Sequence, residues 1–156
     1  MMPVGYIAAS LPRLVFGQTA PMSLARFEEI TGGVKIPEQW RDLETQLRNA
    51  IAEARGGIKH RRPAAGCSLF WKNRILACFQ EKDVAKREEM IDQVWWDAAE
   101  ELTPPSSPLG EGALATYAVR LEIAIKRAKI SADIGNAAFD RLTAETRIDR
   151  FENNEA

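Results

Sequence analysis

Apolar residues recur every three or four positions along most of the chain, which is the spacing of one face of an α-helix. The clearest run lies between Pro37 and Gly56-Gly57, and its apolar positions are Trp40, Leu43, Leu47, Ala50, Ile51 and Ala54. Pro37 suits the first turn of a helix, and Glu38 places an acid where the helix dipole favours one. The pattern therefore predicts a helix that opens at Pro37 and is closed by the two glycines.

Two more long helices are predicted in the second half of the chain. One begins near Val84 and ends before Pro104-Pro105; its apolar positions are Met90, Ile91, Val94, Trp95, Ala98 and Leu102. The other follows the proline-rich segment 104–112; its apolar positions are Leu114, Tyr117, Leu121, Ala124, Ile125 and Ala128. Val119 and Ile123 widen the apolar surface of that helix, which indicates contacts on two sides. We interpret 104–112 as a hairpin connection, because the roughly 45 residues that follow it are few for an independent core.

Capping residues predict three shorter helices. Ser23 can begin a helix that stops at Gly32-Gly33. Ser68 can begin a second helix, whose apolar residues are Leu69, Phe70, Ile75, Leu76 and Phe79. Ser131 can begin a last helix, which runs through Ile134, Ala138 and Leu142. Whether the second continues through residues 81–83 is left open. The apolar segment 4–11 fits a strand or a turn of helix, because it is too short for periodicity to decide.

These elements predict an all-α fold, a helical bundle or stacked helical hairpins of about five to six helices with a short extended or helical segment at the N-terminus. We expect a single helical domain over residues 1–150 and a frayed tail over 151–156. The side chains expected in one shared core are Trp40, Leu47, Ile51, Trp95, Tyr117 and Leu121.

The charge balance argues against a nucleic-acid binder. Twenty-one basic and twenty-two acidic residues give a net charge of -1, whereas such proteins carry a basic surface. No stretch approaches the roughly 20 apolar residues of a membrane-spanning helix. The N-terminus lacks a basic region before its apolar run, so we expect no signal peptide and a cytoplasmic location.

Catalytic and metal-ligating residue types are too sparse for a standard site. His60 is the only histidine, and Cys67 and Cys78 each lack a paired ligand, which argues against zinc. Neither glycine pair is followed by the Gly-Lys-Ser/Thr of a phosphate-binding loop. We therefore expect no cofactor, no metal and no enzymatic activity, with both cysteines as reduced, semi-buried thiols.

The basic segment 55–62 is the strongest candidate for a functional site. Its candidate partner-binding residues are Arg55, Lys59, His60, Arg61 and Arg62. Such a segment can bind phosphate, acidic lipid or an acidic protein surface, or it can be a solvated loop with no partner. The acidic pairs Glu88-Glu89 and Glu100-Glu101 are interpreted as solvated faces that can also serve in docking. Trp71 and Trp96, if exposed, would mark an interface.

Three stretches carry a resemblance to a known family. The stretches are the opening Tyr6-Ile7-Ala8-Ala9-Ser10-Leu11-Pro12, the stretch 43–55 with its Leu47-Arg48-Asn49, and Trp95-Trp96 followed by 114–129. They resemble an uncharacterised bacterial family encoded beside the subunits of V/A-type rotary ATPases. That family is distantly similar to the stalk-to-rotor adapter of those ATPases, the helical subunit that links the central stalk to the membrane rotor ring.

The resemblance implies a non-catalytic, cytoplasmic-side subunit whose partners are the stalk and rotor subunits. It would be peripheral to the inner membrane and would touch the membrane only through its complex. The alternative is a free-standing helical interaction module that binds an anionic ligand or protein through residues 55–62.

Overall fold

The computed structural model describes residues 2–56 and 66–154. This part of the chain forms an all-α fold whose helices hold more than half of all residues, and no strand occurs within it. The six helices are α1 (Val4–Ser10), α2 (Leu24–Thr31), α3 (Glu38–Ala54), α4 (Leu69–Cys78), α5 (Val84–Ala98) and α6 (Glu111–Asn154). A 3₁₀ helix, Ala99–Leu102, continues directly from α5. The predicted fold class is confirmed.

Capping side chains begin three of the described helices, two of them at the serines that the sequence indicated. The Ser23 hydroxyl accepts a hydrogen bond from the Arg26 amide at 3.1 Å, and α2 ends at Gly32, whose φ is 74°. The Ser68 hydroxyl accepts from the Trp71 amide at 3.5 Å. Asp83 caps α5, so the chain breaks between α4 and α5 rather than continuing as one helix. Residues 4–10 are helical, so the N-terminal apolar segment forms a helix and not a strand.

Two predicted helix starts are wrong. Pro37 has extended backbone angles (φ -61°, ψ 148°) and precedes α3 instead of forming its first turn. Ser131 caps nothing, because α6 runs through it as one helix of 44 residues to Asn154. An N-cap requires a non-helical residue, and neither proline nor glycine interrupts the chain between Ala128 and Ile134.

Helices α3, α4 and α6 pack around α5, whereas α1 and α2 pack on α6. Helix α3 packs against α4 and α5, and α4 packs against α5. Helix α6 packs against α5, the 3₁₀ helix, α1 and α2. The 3₁₀ helix and α6 contact each other directly. The proline-rich segment between them therefore connects two packed elements, as predicted for a hairpin connection.

Two apolar clusters, instead of the single expected core, fill the interior. The larger contains Trp40 and Leu47, with Ile51 and Trp95 partly buried at its edge. The smaller contains Leu121 and Phe27, with Tyr117 partly buried. Helix α6 contributes to both clusters, because it contacts α5 and the 3₁₀ helix as well as α2. Val34 and Ile36 pack against both clusters and join them.

The burial of several aromatic and apolar side chains differs from what the three-four spacing predicted. Trp71 and Trp96 are buried, whereas Trp95 is only partly so. Trp96 is covered by Phe16, whose ring meets the indole edge-on at 5.5 Å. Leu69 and Phe70, predicted on the apolar face of α4, are 65% and 63% exposed. That helix buries a stripe further along, formed by Trp71, Ile75 and Cys78.

Candidate partner-binding surface

Arg55 is the one predicted site residue that the structure describes. It follows the last turn of α3, with its side chain 59% exposed. Its Nη2 lies 3.5 Å from the Glu88 Oε1 on α5, and its guanidinium lies 5.9 Å from the centre of the Phe79 ring. Lys59, His60, Arg61 and Arg62 lie outside the described residues.

Arg87 shares the Phe79 ring with Arg55. Its guanidinium is 5.3 Å from the ring centre, and its buried Nε finds no hydrogen-bond partner among the described residues. Segment 57–65 contains no aspartate or glutamate that could pair with it. Two guanidinium groups therefore lie close to the Phe79 ring, and that of Arg55 is also paired with Glu88. Sequence patterning did not reveal Arg87, because it lies 32 positions from Arg55 (87 minus 55).

An open groove of about 480 Å³ begins beside Arg55 and is bordered by α3, α5 and α6. Its apolar lining includes Ile51, Ile91, Trp95, Val119 and Ile123. Ile51, Trp95 and Ile123 are only partly buried, so the groove presents apolar surface to solvent.

The rim of the groove is charged and largely neutralised. Arg48 Nη2 lies 2.6 Å from Glu44 Oε1, and its guanidinium stands 5.8 Å from the centre of the Trp95 ring. Lys126 Nζ lies 3.4 Å from Asp92 Oδ1. A surface with apolar lining and paired charges at its edge suits an amphipathic helix better than a small charged ligand.

The acidic pairs connect helices to one another. Glu88 meets Arg55, and Glu89 lies 3.9 Å from Arg127 on α6. Glu100 lies 3.0 Å from Arg120 on α6. Glu101 accepts a hydrogen bond from the Trp71 indole at 2.6 Å. These carboxylates thus have intramolecular partners, although Glu88, Glu89 and Glu100 remain at least half exposed.

The described part of the chain bears on the predicted scarcity of metal-ligating side chains and on the predicted state of the two cysteines. No three histidine, cysteine, aspartate or glutamate side chains of that part are placed to hold a metal ion. Cys67 is exposed and Cys78 is buried. Burial raises the pKa of the Cys78 thiol, although nearby Arg74 and a backbone hydrogen bond act in the opposite direction.

Comparisons with protein-family models, curated proteins and solved structures find no match to this chain. Within residues 2–56 and 66–154, no helix is both long and apolar enough to cross a membrane.

Proposed function

We propose that the chain is a non-catalytic helical adapter, similar in role to the stalk-to-rotor adapter of V/A-type rotary ATPases, that joins stalk and rotor subunits. The observation that carries this proposal is the length of α6. Its 44 residues span roughly 66 Å at 1.5 Å per residue. The first part of the helix packs in the bundle, whereas every described side chain from Ala128 to Leu142 is exposed. An adapter needs two separated surfaces on a rigid scaffold, and a bundle with a projecting helix meets that requirement.

An adapter between a rotating stalk and a membrane rotor ring would have to transmit torque, which requires a rigid scaffold. Ion pairs between helices support such rigidity. Asp92 on α5 holds both Lys126 and Arg127 of α6, and Arg74 on α4 lies 2.8 Å from Asp97 on α5. These contacts cross-link the helices on which the projecting part of α6 depends.

The basic segment 55–62 is the proposed electrostatic contact with the stalk subunits. Charges at the edge of an interface act mainly on association rate and salt dependence. The triple variant Lys59→Glu, Arg61→Glu, Arg62→Glu should therefore associate more slowly with the stalk and rotor subunits of the same organism. The difference from the wild type should be larger at low salt than at high salt.

A matched control reverses three exposed cations elsewhere, Lys35, Arg41 and Lys82. It carries the same change in net charge and should bind as the wild type does. Both variants should keep the wild-type melting temperature, because surface substitutions change stability by about 0.5 kcal/mol or less. Binding that is unchanged in the first variant rejects the basic segment as the contact, and absence of binding by the wild type rejects the adapter.

A second candidate function, anion binding by a free-standing module, is favoured by the arrangement of Arg55 and Arg87 around Phe79. Titration with inorganic phosphate and with vesicles of anionic lipid tests it. Arg87→Gln should weaken binding several-fold, whereas Lys82→Gln should not. Absence of binding to either probe rejects this alternative.

Purified protein is expected to hydrolyse no ATP and to hold no stoichiometric zinc. The sequence lacks the phosphate-binding loop and the paired ligands that these activities need. One tight zinc per chain by metal analysis, or ATP turnover that co-purifies with the chain through every step, would contradict a non-catalytic role.

A further inference from the structure

One face of α6 runs without interruption from the groove into the exposed part of the helix. Val119, Ile123 and Lys126 line the groove. The next positions on the same face, at spacings of four residues, are Ile130 and Ile134. Their side chains are 45% and 61% exposed. The helix therefore offers a groove wall and an unpaired apolar stripe on a single surface.

We propose that two copies of the chain pair through antiparallel α6 helices, with residues 130–139 of each copy lying in the groove of the other. Both halves of such an interface are present on every chain, so the contact closes as a symmetric dimer. The inserted segment supplies Ile130 and Ile134. The groove supplies the partly buried Ile51, Trp95 and Ile123. Pairing removes both apolar surfaces from water.

The lengths of the two surfaces are compatible. Residues 130–139 span about 14 Å of helix, and the α3 wall from Trp40 to Arg55 spans about 22 Å, at 1.5 Å per residue. The groove is therefore long enough to receive the segment along its whole length.

Charge favours the antiparallel arrangement over a parallel one. A two-fold axis between Lys129 and Ile130 brings Lys126 of one copy opposite Asp133 of the other, because the two residues are equally far from the axis. Both side chains are exposed. A parallel pair in register would instead bring Lys126 against Lys126 and Asp133 against Asp133. Opposite charges across an interface fix its register, whereas like charges oppose it.

Sedimentation of the full chain over a concentration series tests the dimer. The wild type should dimerise, and Ile134→Asp should raise the dissociation constant by about tenfold or more, as expected when a charge replaces an apolar side chain buried in an interface. The control Leu69→Asp changes an equally exposed leucine on α4 and should leave the dimer intact. Circular dichroism should show the same helix content in all three proteins.

A double-mutant cycle tests the register. Lys126→Gln and Asp133→Asn should each weaken the dimer, and the double variant should weaken it by less than the sum of the two effects, because the ion pair between the copies is lost only once. Both changes leave Asp92 paired with Arg127 of its own chain. A wild type that is monomeric at every concentration overturns the proposal. A dimer that Ile134→Asp leaves unchanged also overturns it, because that dimer forms elsewhere. Effects that simply add in the double variant reject the antiparallel register. These measurements need no ATPase component, so their outcome is independent of the adapter proposal.

Discussion

Gly112, in the first turn of α6, lies so close to the carbonyl oxygen of Leu102 that a Cβ at this glycine would overlap that oxygen. The added Cβ would also lie 3.1 Å from the Pro104 Cδ. The close approach brings the Gly112 carbonyl within reach of the Thr103 hydroxyl, which donates to it at 3.3 Å. The junction between the 3₁₀ helix and α6 therefore depends on a residue without a side chain.

Gly112→Ala should lower the free energy of unfolding by about 1–3 kcal/mol, the usual cost of forcing an added methyl group into a packed site. Gly135→Ala is the control, because a Cβ there meets no atom within 4 Å. It should raise stability by up to about 1 kcal/mol through helix propensity. Urea unfolding followed by circular dichroism measures both. An alanine at 112 that stabilises the protein would show that the junction has room for a methyl group.

Asp92→Asn should destabilise the protein more than Glu29→Gln. The Asp92 side chain is 13% exposed and contacts Lys126 at 3.4 Å and Arg127 at 2.9 Å. Hydrogen bonds to charged groups contribute about 1.5–3 kcal/mol, so a loss near that range is expected. Glu29 pairs with Arg26 on the surface, where both side chains are more than 60% exposed, and such pairs contribute about 1 kcal/mol or less. Equal losses in urea unfolding would refute the difference.

The two thiols should react at very different rates. Cys67 is exposed, whereas burial of Cys78 raises its pKa and reduces the thiolate that reacts. A chromogenic disulfide reagent at neutral pH should modify one thiol quickly and the second only after unfolding in urea. Cys67→Ser should abolish the fast phase, and Cys78→Ser should preserve it. A fast phase that survives Cys67→Ser would show that Cys78 is accessible.

Tyr117 should make stability depend on alkaline pH. Its hydroxyl donates to the Pro12 carbonyl at 2.8 Å, its ring stacks on Phe27 with centroids 5.4 Å apart, and burial raises its pKa above the ordinary 10.0. The unfolded chain therefore ionises first. The contribution of Tyr117 is fully present below pH 10.0 and is lost as the pH rises through the folded pKa.

Unfolding in urea at a series of alkaline pH values checks this dependence. The wild type should lose stability more steeply above that pH than Tyr117→Phe does. Tyr6→Phe, at an exposed position, should follow the wild type. Identical slopes for the wild type and Tyr117→Phe would remove Tyr117 as the cause.

Local chemistry determined several helix boundaries. Ser23, Ser68 and the glycine at 32 act through hydrogen bonds and backbone angles that involve only neighbouring residues, so the sequence is sufficient to place them. The three-four spacing likewise identified Trp40, Leu43, Leu47 and Ala50 as the buried stripe of α3. The sequence also singled out Arg55 as a candidate partner-binding residue.

Tertiary contacts decided which alternatives at ambiguous positions were realised. Ser131 is a different case: the described side chains around it are exposed, and the helix continues through it because no proline or glycine interrupts residues 128–134. Trp95 and Trp96 are adjacent and chemically identical, and Trp96 is the more buried of the two because Phe16 and Arg120, which are remote in sequence, pack against it. Arg87 joins Arg55 because the fold brings the start of α5 beside the end of α3 at Phe79. Such contacts depend on the distances between segments that are remote in sequence. The periodicity of apolar residues reports only which side chains share a helix face, so it does not predict those distances.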